Sequence, residues 1–544
     1  MTTTGSSRRA RAATRPGAAP PADAALGDDA ARIGGWLLIV LALPRIVRTM
    51  YPAVWVEDDF YLESAYLVSV GMRPYLDFVH PHMPALEWVA AGYIRMVGAS
   101  HLSLEVLNEA AIYVTSLLTY SLARRVAGRP AAMLGAILYA YSSLVFRYHV
   151  YERECFEAPL IVMAAIAALR EDLPATGQGV RIAVASALAC AVKLTAAIPC
   201  AVALAYLAIA GHRWLRAFAS GLAIVAALAV FSAFCYWRYG FEFIFQIFLF
   251  HLLKGREITE NLVTIPAHIF DVMVPLLILG MIAIASGRVR GRGMGLVLAT
   301  AAADYAFFGF LSPTAWAHNY LEVLPFVAIV AGVGLRYLMD AAREVFTAPE
   351  RGRAAWIRLI GGAVLTAGLF FWLTPNENWL HGAVYGFGFV PREEIAQIAD
   401  ALKSASAPAE EVIAPSFIAF EANRRELIRF PETYGVYREA RAEYEKDGFR
   451  AARAHLGRAD FWALIDETDH YWTDLMKQAI SAGRVNAVVP DSPLQLSGSV
   501  LLSPEFLVQN GFRPTMRTDH FTIWQRIAPA PAPSGENPTP PPSR

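Results

Sequence analysis

Long apolar runs separated by short polar loops fill the first two thirds of the chain. A helix that crosses a bilayer needs roughly 20 mostly apolar residues. The run 181–211 reads either as a hairpin of two helices or as one helix interrupted by Lys193. With the hairpin, the pattern predicts about eleven transmembrane helices, at 33–50, 104–123, 130–146, 157–170, 181–193, 194–211, 214–236, 265–286, 294–311, 319–338 and 357–374.

Arginines in the short loops predict the orientation of these helices. If the arginine-containing N-terminus is cytoplasmic, the loops on that side are all short and basic, as expected for cytoplasmic loops. A single helix over 181–211 would move most of the later arginines outside, so the hairpin is favoured. These loop arginines are Arg124, Arg125, Arg129, Arg170, Arg181, Arg213, Arg216, Arg288, Arg290, Arg292, Arg343, Arg351 and Arg353.

An odd number of helices places the first loop, 51–103, and the C-terminal region on the same outer side. The sequence therefore predicts a multi-pass protein of the plasma (inner) membrane, with a cytoplasmic N-terminus and a C-terminal domain that lies outside or in the periplasm. The chain then divides into a disordered N-terminus at 1–30, a transmembrane module at 31–375, a soluble α/β domain at 376–528 and a disordered Pro-rich tail at 529–544.

The C-terminal region alternates short apolar runs with helical stretches, a pattern that indicates an α/β domain. The apolar runs predict strands at Glu411–Ala414, Asn486–Val489 and Phe521–Trp524. The helical stretches between them are at 391–405, 436–455 and 469–482.

Composition agrees with a chain that is solvated largely by lipid. It is 56% hydrophobic and 17% charged, whereas soluble domains carry about 25% charged residues. Lys+Arg and Asp+Glu are both 47, and the basic residues form no stripe, so no nucleic-acid partner is expected. The four cysteines have no CxxC spacing, which signals neither a disulfide framework nor a cysteine metal site.

The first loop carries three consecutive acids, Glu57, Asp58 and Asp59, just after the first predicted helix. Carboxylates at a membrane face are costly unless they meet water, a partner or a substrate. A purely structural alternative is that they complement the dipole at the start of a solvated helix. The residues alone leave both interpretations open.

A polar turn follows these acids, in the stretches GMRPYLDF (71–78) and HPHMP (80–84). Gly and Pro end helices and form turns, and Asp77, His80 and His82 add polar groups near the predicted membrane surface. The stretch 84–98 is amphipathic and is expected to lie on that surface. The loop therefore predicts two surface helices joined by a polar turn.

This order of features resembles the GT-C membrane glycosyltransferases: an acidic pair behind the first helix, then G-x-x-P-Y-x-D-F and a His/Pro turn. The closest resemblance is to the protein O-mannosyltransferases, the aminoarabinose–lipid A transferases and the rhizobial galacturonosyltransferases. The resemblance implies a polyprenyl-phosphate-linked sugar donor and transfer on the outer side of the membrane. It also implies that Asp58, or Asp59, which stands where many members have Glu, is the catalytic base.

Further polar residues are candidates for substrate binding, because a phosphate leaving group requires stabilising cations. Lys254 and Arg256 are the favoured phosphate ligands, and Lys193 lies in an apolar run where a charge indicates a function or a partner. His318, Tyr320 and the proline that follows them resemble a pattern of the same family. The full set of binding candidates is Glu57, Asp77, His80, His82, Arg153, Glu154, Lys193, Lys254, Arg256, His318 and Tyr320.

The function expected from these features is an inverting glycosyltransferase whose acceptor is a hydroxyl of an envelope glycan, a lipid or a protein. No cofactor or metal site is predicted, although three adjacent acids could hold a divalent cation. Asp304 and Glu322 fall in apolar helices and are expected to pair inside the bundle. The alternatives are a transporter or lipid-handling protein without transferase activity, which the absence of repeated halves disfavours, and a non-catalytic scaffold.

Overall fold

The computed structural model of the protein describes residues 32–39, 53–55, 60–145, 151–255, 258, 261–262, 265–312, 317–347, 356–357, 360–364, 389–408, 410–427, 431–457, 461–490 and 502–527. Up to residue 347 these residues are almost entirely helical, and from residue 389 onward strands alternate with helices. Three helices are long and apolar enough to cross a membrane: Trp214–Tyr239, Arg292–Leu311 and His318–Val345. A mostly helical chain with sheet elements near its C-terminus is therefore confirmed.

A bundle of nine helices occupies the middle of the chain within the described residues. The helices follow the apolar runs because a backbone in lipid has to satisfy its hydrogen bonds within the segment. The predicted helices at 33–50 and 357–374 are described only in part, so the count of eleven stays a prediction. The nine are α3 (His101–Ala127), α4 (Arg129–Val145), α5 (Arg153–Leu169), α6 (Ala175–Val192), α7 (Ala197–Ile209), α8 (Trp214–Tyr239), α9 (Ile265–Ala285), α10 (Arg292–Ala306) and α11 (Leu324–Thr347).

The chain between α5 and α8 makes a hairpin. The amide of Gln178, near the start of α6, donates to the carbonyl of Ala167 near the end of α5 at 3.1 Å and accepts from Arg213, just before α8, at 2.9 Å. The starts of α6 and α8 therefore lie at the same end of the bundle, and the chain between them crosses it twice. Lys193, with φ −150° and ψ 127°, is where the helix breaks. The predicted hairpin over 181–211 is confirmed.

Arginine-bearing loops gather at the end of the bundle that holds Gln178. Arg292 donates to the carbonyl of Ala210 at 3.0 Å, and Arg288 pairs with Asp340 at 3.1 Å. We call this the arginine end and the opposite one the loop end. The structure thus groups on one side the loops that the charge pattern assigned to one side.

Glycines allow the central helices to approach one another closely. A Cβ at Gly332 in α11 would meet the backbone of Gly135 in α4, and one at Gly334 would meet the carbonyl oxygen of Leu279 in α9. Small residues at such contacts are typical of helix packing in membranes, where close van der Waals contact replaces the hydrophobic effect.

The first loop folds at the loop end as two helices joined by a turn, as predicted, and their position on a membrane surface stays a prediction. They are α1 (Phe60–Ser69) and α2 (Ala85–Val97). Every side chain from Tyr61 to Leu67 is buried, so α1 is covered on all sides. In the turn between them, Tyr75 has a φ of 69°, and its hydroxyl donates to the carbonyl of His82 at 2.6 Å.

The C-terminal region contains a mixed five-stranded sheet of order β4-β3-β5-β7-β6. Strands β3, β4 and β5 are parallel neighbours, whereas β7 is antiparallel to both β5 and β6. The three predicted strands correspond to β3, β5 and β7 within a few residues. The strands are β3 (Glu411–Ile413), β4 (Arg425–Glu426), β5 (Val485–Val488), β6 (Phe512–Arg517) and β7 (Thr522–Arg526).

Five helices accompany this sheet: α12 (Arg392–Ala405), α13 (Ser416–Glu421), α14 (Pro431–Leu456), α15 (Phe461–Ser481) and α16 (Pro504–Gln509). The predicted helices at 436–455 and 469–482 begin earlier than expected. In addition, α14 is broken at Gly448, whose φ of 76° and ψ of 175° are not helical. Glycine tolerates this conformation, and the helical periodicity on either side conceals the break in the sequence.

The α/β region contacts the first loop directly. Strand β1 (Ala53–Trp55) pairs antiparallel with β2 (Phe389–Pro391), and His101 Nδ1 lies 2.7 Å from a carboxylate oxygen of Glu421. Arg392 pairs with Glu105 at 3.1 Å. The first loop and the C-terminal region therefore share the loop end of the bundle.

Candidate functional site

The three acids of the first loop, Glu57, Asp58 and Asp59, lie outside the described residues. In sequence they are flanked by β1, which ends at Trp55, and by α1, which begins at Phe60. Their proposed role therefore stays a prediction. The described part of the site begins at the first turn of α1.

Tyr61 is the central residue at the start of α1. Its hydroxyl lies 3.1 Å from Nε2 of His82, and the Arg153 guanidinium lies 4.8 Å from the centre of its ring. Such a distance is typical of a cation–π contact. Burial lowers the pKa of His82 well below its usual range, and the charge of Arg153 lowers it further, so the imidazole is neutral at neutral pH.

Arg153, at the start of α5, is completely buried and surrounded by acceptors. It forms an ion pair with Glu87 of α2, which is also fully buried. It donates to the carbonyl oxygens of Met83 and Val192, each at 3.1 Å, and to Nε2 of His80 at 3.2 Å. This binding candidate therefore joins the first loop to α5 and α6.

His80 lies between Arg153 and Glu87, with its Nε2 3.2 Å from the Arg153 guanidinium. Burial lowers the pKa of His80 below its usual range, Glu87 opposes this shift, and Arg153 adds to it. The same Nε2 lies 3.3 Å from a carboxylate oxygen of Glu87, and the other ring nitrogen is Nδ1. That nitrogen is buried and has no hydrogen-bond partner among the described residues.

Lys193 is the second buried cation of the site. It forms an ion pair with Glu154, donates to Oδ1 of Asn319 at 2.9 Å and lies 3.7 Å from Glu157. The Phe308 ring lies 5.5 Å from its ammonium nitrogen. The expectation that a lysine in this apolar run has a partner is therefore confirmed.

Asp304 and Glu322 are both fully buried beside this cluster, and none of their four carboxylate oxygens has a hydrogen-bond partner among the described residues. Their burial inside the bundle agrees with the sequence, and their pairing with each other stays a prediction. Together with Glu154 and Glu157, they make the loop end of the bundle rich in buried carboxyl groups.

Glu152, Glu154 and His318 could hold a divalent cation, because one ligand atom from each lies within 4.8 Å of the other two. Nδ1 of His318 lies 4.0 Å from a carboxylate oxygen of Glu152, and Nε2 lies 4.0 Å from one of Glu154. Carboxylate and imidazole ligands suit several divalent metals. His318 is 164 positions from Glu154 in the chain, so spacing alone does not bring these residues together.

The remaining candidates have separate surroundings. Asp77 pairs with Arg73 at 2.9 Å in the turn, and the hydroxyl of Tyr320 donates to the carbonyl of Asn261 at 2.7 Å. The ammonium nitrogen of Lys254 lies 4.2 Å from the centre of the Phe250 ring. Arg256 lies outside the described residues.

Gln246 and His251 are site residues that the sequence analysis missed. Both hold the backbone of the turn that carries His80 and His82. Gln246 is the only amide side chain in the aromatic run FEFIFQIFLFHLL, 241–253. A lone amide in an apolar run requires a hydrogen-bond partner. This feature of the sequence could have identified Gln246 as a site candidate.

Part of the chain that carries these residues matches a known protein family. Residues 79–237, less than a third of the chain, match the family model described as dolichyl-phosphate-mannose-protein mannosyltransferase. This stretch includes His80, Arg153, Glu154 and Lys193. The search of curated proteins found no match.

Solved structures share the fold over nearly the whole chain. ArnT from Cupriavidus metallidurans bound to undecaprenyl phosphate aligns with a TM-score of 0.58 and 15% identity, over 92% of this chain and 99% of that one. Its apo form aligns with a TM-score of 0.59 and 14% identity, over 91% and 98%. The archaeal oligosaccharyltransferase AglB from Archaeoglobus fulgidus gives 0.47 and 12%, over 84% and 69%.

The likeness therefore extends beyond the first loop, on which the sequence resemblance rested. It includes the helical bundle and the C-terminal α/β region, because the ArnT alignment leaves out only a small part of either chain. The chain has the fold of ArnT, and its resemblance to the GT-C membrane glycosyltransferases is confirmed.

Proposed function

We propose that the protein transfers a sugar from a polyprenyl-phosphate donor to a hydroxyl group of an envelope glycan, lipid or protein. Transfer takes place at the outer face of the plasma membrane and inverts the anomeric centre. The observation that carries the proposal is the loop end itself, where a buried set of cations, carboxyls and imidazoles surrounds Tyr61 at the start of α1. The acids of the first loop directly precede this helix in sequence.

The reaction requires one base and one displacement. Asp58, or Asp59, accepts the proton of the acceptor hydroxyl while the oxygen attacks the anomeric carbon. The bond between that carbon and the phosphate oxygen breaks, and polyprenyl phosphate leaves with the bonding electron pair. A single displacement inverts the anomeric centre, and a positioned base of this kind contributes roughly 10²–10⁴-fold to the rate.

The structural likeness supports a lipid-linked donor. The ArnT structure of the same fold holds undecaprenyl phosphate, and the family model that matches 79–237 is named for a dolichyl-phosphate sugar donor. A lipid-linked donor presents its phosphate at the membrane surface. The loop end is where α5, α6 and the first loop bring charged groups together, as Lys193 and Glu154 illustrate.

We assign the donor phosphate to Lys254 and Arg256 rather than to the two buried cations. Arg153 is fully buried and Lys193 nearly so. Lys254 is partly exposed beside the ring of Phe250. Loss of a charge-assisted hydrogen bond costs about 1.5–3 kcal/mol, so Lys254→Met should raise the donor KM roughly tenfold or more.

The test of the proposal uses the purified protein in detergent with a synthetic polyprenyl-phosphate sugar and an acceptor glycan or glycolipid. Asp58→Asn should abolish transfer and leave the elution profile of the protein unchanged. Asp400→Asn is the matched control, since Asp400 is an exposed acid of α12 that is not among the site candidates. If only Asp59→Asn is inactive, the base is Asp59, and full activity in both Asn variants would refute the mechanism.

The transporter alternative makes a different prediction in the same preparation. A transporter or lipid-handling protein would move the labelled polyprenyl lipid between the leaflets of a vesicle without forming a glycosylated product. Product formation with release of polyprenyl phosphate supports the transferase, whereas lipid movement alone would overturn it.

A further inference from the structure

The segment 241–253 lies between the turn of the first loop and the C-terminal α/β region. It is helical at Phe241–Ile244, widens to a π-helical turn at Phe245–Leu249 and is helical again at Phe250–Leu253. Single π turns inside α-helices are rare and occur frequently at functional sites. The side chain of Gln246, within the π turn, is 1% exposed.

Gln246 hydrogen-bonds the turn at two points. Its side-chain oxygen accepts from the backbone N–H of His80 at 2.7 Å, and its amide nitrogen donates to the carbonyl of Tyr75 at 3.0 Å. Both ends of the amide are therefore used, and both partners are backbone groups. A buried backbone group that loses its partner carries a free-energy cost, so Gln246 stabilises the turn at two points.

His251 adds a third contact from the same segment, since its Nε2 lies 2.9 Å from the carbonyl oxygen of Pro81. In a regular α-helix, residues five apart lie about 140° apart around the axis. The wider π turn places Gln246 and His251 on one side of the segment. The π turn therefore explains how one short segment holds Tyr75, His80 and Pro81 together.

The turn that is held in this way carries the imidazoles of the site. His80 accepts from Arg153 through Nε2 at 3.2 Å, and His82 contacts the hydroxyl of Tyr61 at 3.1 Å. A shift of the turn would therefore move both contacts at the start of α1, next to the acids of the proposed base.

The segment also contacts the α/β region. Glu242, one turn before Gln246, accepts from the hydroxyl of Tyr437 at 2.5 Å and from Arg441 at 3.2 Å. Phe245 packs against Tyr437 with its ring centre 5.7 Å away. Helix α14 thus contacts the segment through Tyr437 and Arg441.

We propose that Gln246 is a positioning residue for the transfer reaction: it fixes the turn of residues 75–82 against the segment 241–253. It acts through His80 and His82 without contact with the reacting atoms. This inference rests on the proposed function for its effect on catalysis, whereas its effect on the turn can be measured without any activity.

Three variants test the positioning role. Gln246→Leu removes both hydrogen bonds at similar volume, and Gln246→Glu keeps the acceptor but loses the donor when it is ionised. Leu252→Ala is the matched control, because the Leu252 side chain lies in the same segment and is exposed. A misplacement of about 1 Å can cost about 10²-fold in rate, so Gln246→Leu should lower kcat about 10–100-fold with the donor KM within about threefold.

The pH profile separates positioning from a general loss of structure. Protonated Gln246→Glu can donate to the Tyr75 carbonyl again, so its kcat should recover as the pH is lowered toward 5, while the wild type shows no such recovery. Hydrogen exchange of the peptide 75–83 should be faster in Gln246→Leu than in the wild type and unchanged in Leu252→Ala.

Several outcomes would overturn the inference. A kcat of Gln246→Leu within about twofold of the wild type would do so, as would a Gln246→Glu variant whose pH profile matches that of the wild type. If the wild-type protein shows no transfer with any donor, the proposed function fails and hydrogen exchange decides alone. Faster exchange of 75–83 then supports the fixing of the turn, and unchanged exchange refutes it.

Discussion

Removal of the Glu87 carboxylate should destabilise the fold more than any exposed charge change in the same loop. Glu87 and Arg153 are each 0% exposed and form an ion pair, so Glu87→Leu leaves a buried guanidinium without its counter-charge. Breaking a buried pair from one side costs about 3–5 kcal/mol. Arg153 keeps its neutral acceptors, Met83, Val192 and His80, so we expect a value of about 3 kcal/mol, near the lower limit of that range.

A second substitution at the same position separates charge from geometry. In Glu87→Gln, the amide oxygen can still accept from Arg153, so only the charge is lost. We expect it to cost about 1–2 kcal/mol less than Glu87→Leu, the usual difference between a kept and an unmade buried hydrogen bond. The matched control is Asp77→Asn, which breaks the exposed pair with Arg73 at 2.9 Å and should cost about 0–1 kcal/mol.

The assay is unfolding of the purified protein in one detergent, followed by tryptophan fluorescence at a single heating rate, because irreversible transitions depend on that rate. Of the three variants, Asp77→Asn should have the highest unfolding midpoint and Glu87→Leu the lowest. The midpoint of Glu87→Gln should lie between them. Equal midpoints for Glu87→Leu and Asp77→Asn would refute the reasoning, since they would mean that Arg153 does not depend on Glu87.

Three further outcomes are expected. Gly334→Val places a side chain against the carbonyl of Leu279 and should lower the unfolding midpoint by at least as much as Glu87→Leu, whereas an unchanged midpoint would contradict the packing. Burial lowers the pKa of His80 in the folded protein below the ordinary value of 6.5. Below pH 6.5 the unfolded state therefore binds a proton more readily at His80 than the folded state does. The stability is therefore complete above that pH and falls on acidification, and His80→Gln should reduce the fall measured by pH-dependent unfolding. An impermeant thiol reagent applied to intact cells or spheroplasts should label Arg450→Cys, and labelling only after membrane disruption would place the α/β region on the cytoplasmic side.

Features that depend on neighbours in sequence could be predicted. The strand Glu411–Ile413 follows from a short apolar run, and the break at Lys193 follows from a charge inside an apolar stretch together with the loop arginines. The apolar run and the charge at Lys193 lie within a few residues of the features that they predict. The helix break at Gly448 shows the limit of this reasoning, because the helical periodicity on either side conceals it in the sequence.

Contacts between distant segments could not be predicted in the same way. Glu87 and Arg153 are 66 positions apart, and Gln246 and His80 are 166 positions apart. A single sequence shows that each polar side chain in an apolar run needs a partner, but it does not show which one. The sequence does indicate which residues need a distant partner, since Glu87, Lys193 and Gln246 are each a single polar residue among apolar neighbours.

The buried charges of the loop end have a common structural role. Arg153 connects α2, the turn and the end of α6, and Lys193 connects α5 to Asn319 before α11. Since helices in lipid lack a strong hydrophobic drive to associate, polar contacts between them help to define their arrangement. Gln246 and His251 then hold the turn from the other side. The first loop is thus fixed by side chains from several segments, and electrostatic catalysis requires such prior ordering of its groups.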